Sequence, residues 1–446
     1  MHRPASLELE SVAVSTGSAQ RRWLTRSKVL GLALLAAGVL NSAFLVTAPG
    51  TFDVTDPRRG FLVWMDDVVI LGPVDGYRYN PYDYPPGTKT LLGLAGKAGD
   101  AVGLSRSNSL KLLLLGFQAL AALVAFFLTG DILLTGALWF CTTTSAIGQG
   151  YLDILYAPFL VASLIGLLRN RPVQAWGLLL ACCAIKPQPL VLLPFYVVHL
   201  TSLGGLRDVW RVAREPRTWG AAIWTTIAVL LLVVTFGRTH ETRQWSVVQA
   251  VQKATAHKEI SGNAMNAGWI GSYIYQVAKH GQLGPARERD STWRNPIKVV
   301  AAAIVAWILW LQIGLPKTPH TVLLSLLAGY LAYFTFNAGV HENHLFIAMI
   351  IALFLATLPD ALRSGWSRTR ELTLAIGVIV FAHLNPLLFF GWRGGDREPT
   401  LIGGPTGLDI SVPLATFSIV LFVATVLCLR AAGRPAMMVA QESSRR

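Results

Sequence analysis

Apolar runs of about the length that crosses a bilayer recur along this chain, and they constrain its fold more than any other feature. A bilayer core needs ~20 consecutive apolar residues in a helix. Segments near 29–48, 109–129, 131–147, 150–168, 173–185, 188–203, 218–236, 296–315, 320–337, 342–358, 372–391 and 410–430 approach that length. Hydrophobic residues make up 53% of the chain and charged residues 14%, against roughly 25% charged in a soluble domain. A soluble core of this size alternates shorter apolar stretches with polar faces. The expected fold is therefore all-α: a polytopic transmembrane helix bundle of about twelve spans, in contact with membrane lipids.

Orientation follows from the arginines. Arg21, Arg22, Arg26 and Lys28 precede the first span, which places that end in the cytoplasm by the positive-inside rule. Arg169, Arg171, Arg207, Arg211, Arg214, Arg217, Arg363, Arg368, Arg370, Arg430 and Arg434 then all fall in cytoplasmic loops or at cytoplasmic span ends. The net charge of +14 is accounted for in this way, and no nucleic-acid partner is expected. Cys141, Cys182, Cys183 and Cys428 lie within apolar spans, where disulfides and thiolate metal sites are not expected. The first span has no small-residue cleavage site after it and reads as a retained helix.

The expected organisation is a disordered cytoplasmic N-terminus (1–28) and a first membrane module (29–236) containing a large outer loop at 49–108. A second outer loop with reentrant or interfacial helices (237–295), a C-terminal membrane module (296–431) and a cytoplasmic tail (432–446) follow. The 49–108 loop reads as interfacial helices, because a true span at 87–104 would turn the following arginine loops outward.

With this orientation, the costly polar groups gather on the outer side. Asp53 and Asp56 open the first outer loop. Asp56-Pro57 suits a helix cap, and either carboxylate could also serve as a general base at the interface. The loop continues through Tyr82-Asp83-Tyr84-Pro85-Pro86, whose tyrosines fit an aromatic belt or carbohydrate stacking. Gly148-Gln149-Gly150-Tyr151-Leu152-Asp153 forms an outer turn. Lys186 interrupts an apolar run, where an unpaired lysine costs ~2.5–3.5 kcal/mol on insertion scales. Either a ligand anion or a structural partner such as Asp153 would answer it. Asn263 stands in a small polar stretch before Trp269, and Arg393 lies in the last outer loop. His341, Glu342 and His344 open a span. The two histidines are three apart, whereas the zinc-protease pattern needs four, so a metalloprotease is a poor fit.

These motifs together resemble the GT-C superfamily of integral-membrane glycosyltransferases. The likeness is to the dolichyl-phosphate-glucose-dependent glucosyltransferases of N-glycan assembly and their bacterial relatives. Asp83-Tyr84-Pro85-Pro86 is similar to the family's Asp-Tyr-Pro-Pro, and Gly148 to Asp153 to its Gly-Gln/His segment. Val340-His341-Glu342-Asn343 looks like its Val-His-Glu-Lys. The order and rough spacing match over most of residues 30–360. The resemblance implies inverting transfer of one sugar (mannose, glucose or a pentose) from a polyprenyl-phosphate donor to a lipid-linked or cell-envelope glycan acceptor. The active site would face the periplasmic side of a bacterial inner membrane, with no cofactor and no metal required for a monophosphate donor.

By position, the resemblance makes Asp56 the base, eight residues before Trp64, with Asp53 the fallback. Lys186 and His341 would meet the donor phosphate, with Arg393 a weaker contact. Glu342, His344, Tyr84, Gln149, Asp153 and Asn263 join them as substrate-binding candidates. Two departures stand out: Asn343 where the family has lysine, and Gly87 where it often has leucine. The second outer loop shows none of the eukaryotic signature. The competing classes are a lipid-linked-sugar flippase or transporter, a ligase using a pyrophosphate-linked glycan, and a structural scaffold. Against transport, the sequence shows no inverted repeat and no paired broken helices at midplane.

Overall fold

The computed structural model describes residues 18–47, 60–81, 84–255, 260–261, 264–281, 293–359, 368–391, 401–402 and 408–444. Among these the fold is helical, apart from a two-stranded antiparallel ladder, β1 (Leu401–Ile402) with β2 (Leu408–Asp409). Seven helices are long and apolar enough to cross a membrane. They are α1 (Ser18–Thr47), α4 (Arg106–Thr129), α10 (Pro216–Phe236), α13 (Arg294–Ile313), α14 (Pro319–Phe336), α16 (Arg368–Gly391) and α17 (Ser411–Ser444).

Five further apolar segments are helical but shorter. Helix α5 (Ile132–Thr143) runs into a π-turn at Thr144–Gly148, and a 3-10 turn at Leu152–Tyr156 leads into α6 (Ala157–Leu168). Helix α7 (Pro172–Ile185) stops at Lys186, and a 3-10 turn at Gln188–Leu192 opens α8 (Leu193–Leu200). A last 3-10 turn at Glu342–Leu345 opens α15 (Phe346–Thr357). A helix of 14 residues such as α7 rises only about 21 Å, against the ~30 Å of a bilayer core. The twelve apolar runs of the sequence are thus all helices, and seven have spanning length.

Burial runs opposite to that of a soluble protein. Helix α14 carries His320, Ser325, Tyr330 and Thr335, yet is buried along most of its length. Helix α10 is more apolar, yet leaves Trp219, Trp224, Leu231 and Val234 each at least 60% exposed. Lipid tails solvate such a face as readily as another helix does, so polar and small residues mark the interior contacts. Ser42, Thr143, Gln118 and the Trp139 indole link α1, α4 and α5 in this way. Glycine permits the closest approach: a Cβ on Gly136 of α5 would lie 2.0 Å from the Gly31 carbonyl oxygen of α1.

The 49–108 region contains α2 (Phe61–Tyr79), kinked at Gly72-Pro73, and α3 (Pro86–Ala101). Neither is among the helices long and apolar enough to cross a membrane. They are pinned together by Lys89, which is 1% exposed and donates to Asp67 and to the carbonyls of Gly76 and Asn80. Arg106 of α4 reaches both Asp66 and Asp100. The second long loop contributes α11 (Ser246–Thr255) and α12 (Ala267–His280). The short helix α9 (Leu206–Arg214) precedes α10.

Candidate functional site

The turns that join the short helices meet at one end of the bundle, and Asp153 is at their centre. It sits in the 3-10 turn before α6 and is 1% exposed. Lys186 terminates α7, 2% exposed, and its ammonium lies 2.8 Å from both Asp153 carboxylate oxygens. The Tyr156 hydroxyl donates to Oδ1 at 2.8 Å, and Asn343 Nδ2 donates to Oδ2 at 2.9 Å. Burial opposes the charge on Lys186, but the adjacent carboxylate outweighs it and holds the ammonium above the ordinary lysine pKa. Lys186 is therefore answered by Asp153, the structural partner considered from sequence. With its lone pairs directed at three side chains, Asp153 is poorly placed to take a proton from a substrate.

A second cluster adjoins it. Gln188 Nε2 lies 2.9 Å from His344 Nε2, and the Tyr333 hydroxyl 3.2 Å from His344 Nδ1. With Gln188 donating, His344 Nδ1 carries the ring proton toward Tyr333. The His341 ring centroid is 5.7 Å from that of His344.

Tyr84 reaches the same place from the first long loop. Its ring centroid lies 5.4 Å from the Lys186 ammonium nitrogen, and it packs against Trp64 and Phe61 at 5.2 and 6.3 Å. The chain holds it there through neighbouring residues. The Tyr77 hydroxyl donates to the Tyr84 carbonyl at 3.1 Å, and Pro86 starts α3, where its missing N–H costs nothing. The Thr88 hydroxyl then bonds the Ile185 carbonyl at 2.5 Å. A Cβ on Gly87 would stand 2.5 Å from the Ala184 carbonyl oxygen. The glycine departure at position 87 is thus what lets this segment lie directly on the end of α7.

A small open pocket of about 10 Å³, room for little more than one water, lies beside the ion pair. Its polar lining is Ser145, Tyr151, Asp153, Asn343 and His383; its apolar lining is Phe346, Met349, Ala382 and Pro386. On α16, between the pocket-lining His383 and Pro386 in sequence, the buried Asn385 accepts from the Met265 backbone N–H at 3.1 Å. Asn266 donates to the Phe334 carbonyl and caps α12. These bonds fasten the start of α12 over the same end.

Tyr84, Asp153, Lys186 and His344 are thus brought into one neighbourhood, with His341 at its edge. Gln149 stands in the turn ahead of Asp153, its backbone N–H bonded to the Thr144 carbonyl. Glu342 lies in the 3-10 turn, with its side chain outside the described residues. Asp53, Asp56, Asn263 and Arg393 also lie outside the described residues. Sequence reasoning missed Tyr156, Ser145 and His383, and named Tyr151 only as part of the Gly148–Asp153 motif. A signal for His383 was present: the His383-Leu384-Asn385-Pro386 sequence inside an apolar run, where an ionisable residue is a functional candidate by default.

Fold and site define an all-helical protein with several membrane-length helices and a buried polar centre where its short helices end. The chain matches no protein-family model and no curated protein sequence. Among the described residues, no group of three or more His, Cys, Asp or Glu is placed to hold a metal ion.

Proposed function

We propose that this protein is a GT-C-type glycosyltransferase. It would move a single sugar from a polyprenyl-phosphate donor to a glycan or glycolipid acceptor at the outer face of the membrane. One observation supports the reading above the others. Four motifs far apart in sequence, around Tyr84, Asp153, Lys186 and His344, contact one another in a single buried cluster.

In the proposed reaction, Asp56 (Asp53 the fallback) takes the proton from the acceptor hydroxyl. The hydroxyl oxygen attacks the anomeric carbon from the face opposite the phosphate. The bond from that carbon to the phosphate oxygen breaks, and its electron pair leaves on polyprenyl phosphate. A positioned general base contributes about 10²–10⁴-fold. His341, with Arg393 as a weaker contact, orients and stabilises the departing phosphate. Lys186 acts on it through a shared field, since Asp153 already holds its ammonium. The polyprenyl tail lies among the exposed apolar helices.

The test is release of polyprenyl phosphate by protein in lipid, from a panel of polyprenyl-phosphate sugars with a membrane lipid extract as acceptor. Wild type should consume one donor, while folded Asp56→Asn should not. A dead Asp53→Asn beside an active Asp56→Asn would keep the reaction and move the base.

A transporter is the second reading, favoured by one observation. Several interrupted helices meet at a buried ion pair, as they do around transport sites. A transporter would move the lipid-linked sugar across the bilayer intact, with no release of polyprenyl phosphate.

A further inference from the structure

We propose that the short helix α9 lies flat in the headgroup layer of the membrane and binds anionic phospholipid headgroups there. The membrane length of α10 carries this inference, which is independent of the transferase reading.

The chain builds α9 as a separate piece. Glu215 is extended and Pro216 opens α10, as expected of a residue that precedes proline. The helix axis therefore breaks where α9 meets α10. Nine residues rise only about 14 Å, too little for the ~30 Å of a bilayer core. Among the described helices, α9 also divides most sharply into an apolar and a charged side.

Protein leaves much of the apolar side uncovered. Val212 is buried, whereas Val209 is exposed and Trp210 is 72% exposed. In water such exposure forfeits the gain from burying an indole. At the headgroup layer it is favourable, because one end of the ring is apolar and the other polar. The same surface continues on α10 through the exposed Trp219, Ile223 and Trp224. The Trp219 indole donates to the Ala213 carbonyl at 2.7 Å and ties the two helices together. Since α10 is of membrane length, the surface it shares with α9 faces lipid, which selects a lipid over a protein partner.

The charged side supplies the complement to an anion. Residues 206–217 carry Arg207, Arg211, Arg214 and Arg217 against Asp208 and Glu215. Asp208 is already engaged, accepting from the Gly204 N–H at 2.9 Å and from Arg211 Nε at 3.3 Å. The Arg211 side chain still stays 56% exposed. Arg214 is exposed and makes no hydrogen bond or ion pair among the described residues. A guanidinium can meet two oxygens of a phosphodiester at once. Arginines on one side of a helix, with tryptophan and valine on the other, form the pattern of a helix lying in the membrane surface. Each arginine near an anionic surface strengthens such binding about fivefold.

The experiment uses the full chain in phosphatidylcholine nanodiscs containing a small share of phosphatidylglycerol with a diazirine near its headgroup. Crosslinked peptides are mapped by mass spectrometry. Unlabelled phosphatidylglycerol, extra phosphatidylcholine and soluble glycerol phosphate serve as competitors. Melting in phosphatidylcholine alone reports folding of each variant.

The expected result is crosslinking within residues 206–224, suppressed at least about fivefold better by phosphatidylglycerol than by phosphatidylcholine. Arg211→Gln with Arg214→Gln should melt as wild type and lose that crosslink at least about fivefold. If the double variant melts early, Arg214→Gln alone reads the same loss, since that side chain holds nothing else in place. Absence of crosslinks in 206–224, equal competition by the two lipids, or an undiminished crosslink in the folded variant would each overturn the proposal. Competition by glycerol phosphate as strong as by the whole lipid would also overturn it, and would make α9 a site for a free anion.

Discussion

Asn343 and Lys186, 157 positions apart by number, donate to the same buried carboxylate of Asp153, at 2.9 and 2.8 Å. This shared acceptor joins the start of α15, the end of α7 and the turn before α6. The amide at 343 supplies a donor where a second lysine would bring another charge. One carboxylate facing one ammonium leaves the centre neutral, so position 343 adds a bond without adding a charge to be buried.

The first prediction concerns that pair. Lys186→Ala leaves Asp153 charged and short of its main partner, and should destabilise the fold by about 3–5 kcal/mol. The double variant Asp153→Asn with Lys186→Met removes both charges and should cost markedly less than the sum of its single changes. Unfolding in mixed micelles, arranged as a double-mutant cycle, checks both. Additive costs would mean that the two side chains do not interact.

Asn343→Ala removes one donor to a charged acceptor and leaves Lys186 and Tyr156 in place. A loss of about 1.5–3 kcal/mol is expected from the bond to the carboxylate, without unfolding at ambient temperature. Thermal melting of the purified variant reads this, and an unchanged melt would place Asn343 away from Asp153.

Gly87→Leu should be strongly disruptive, although leucine is what the resembling family often carries there. A Cβ at 87 would meet the Ala184 carbonyl at 2.5 Å, and overpacking of this kind costs about 1–3 kcal/mol. The Tyr84–Thr88 segment would lift from α7 and take the Tyr84 ring off Lys186. Limited proteolysis between α2 and α3 should become faster. Protection equal to wild type would contradict the close packing.

Lys317, between α13 and α14, gives a pH dependence. Burial pushes its pKa down to about 8, from about 10.4 in an unfolded chain. Between these values the unfolded chain binds more protons, so this group makes stability rise as pH increases from about 8 to about 10.4. Lys317→Arg cannot deprotonate in that window and should flatten the rise. Melting temperatures at pH 7.5, 9 and 10 compare the two proteins, and parallel curves would contradict the assignment.

The fold was legible where it depended on composition. Each of the twelve apolar runs is helical because apolar length needs no partner to be read. The α2 and α3 pair fell in the region read as interfacial helices, since a span at 87–104 would have turned the following arginine loops outward. What the sequence could not show was which polar residues share a bond. Lys186 was visible as a charge in need of an answer, and Asp153 was among the possible answers. Deciding between ligand and carboxylate required the end of α7 and the turn before α6 to be placed against each other. Asn343 looked like a mere departure from a motif, because an amide's value lies in what it faces. Gly87 likewise gains meaning only from the Ala184 carbonyl beneath it.

The most direct test of the account separates the structural use of the polar centre from its chemical use. The charge-free double variant Asp153→Asn with Lys186→Met keeps side-chain size and removes the buried ion pair, so it should remain folded. Its rate of polyprenyl phosphate release from the donor consumed by wild type is the measurement. The account predicts a folded protein with release reduced by about 10²-fold or more, as for loss of a preorganised electrostatic group. Release at the wild-type rate would contradict it, and would leave the Asp153–Lys186 pair as a structural fastening alone.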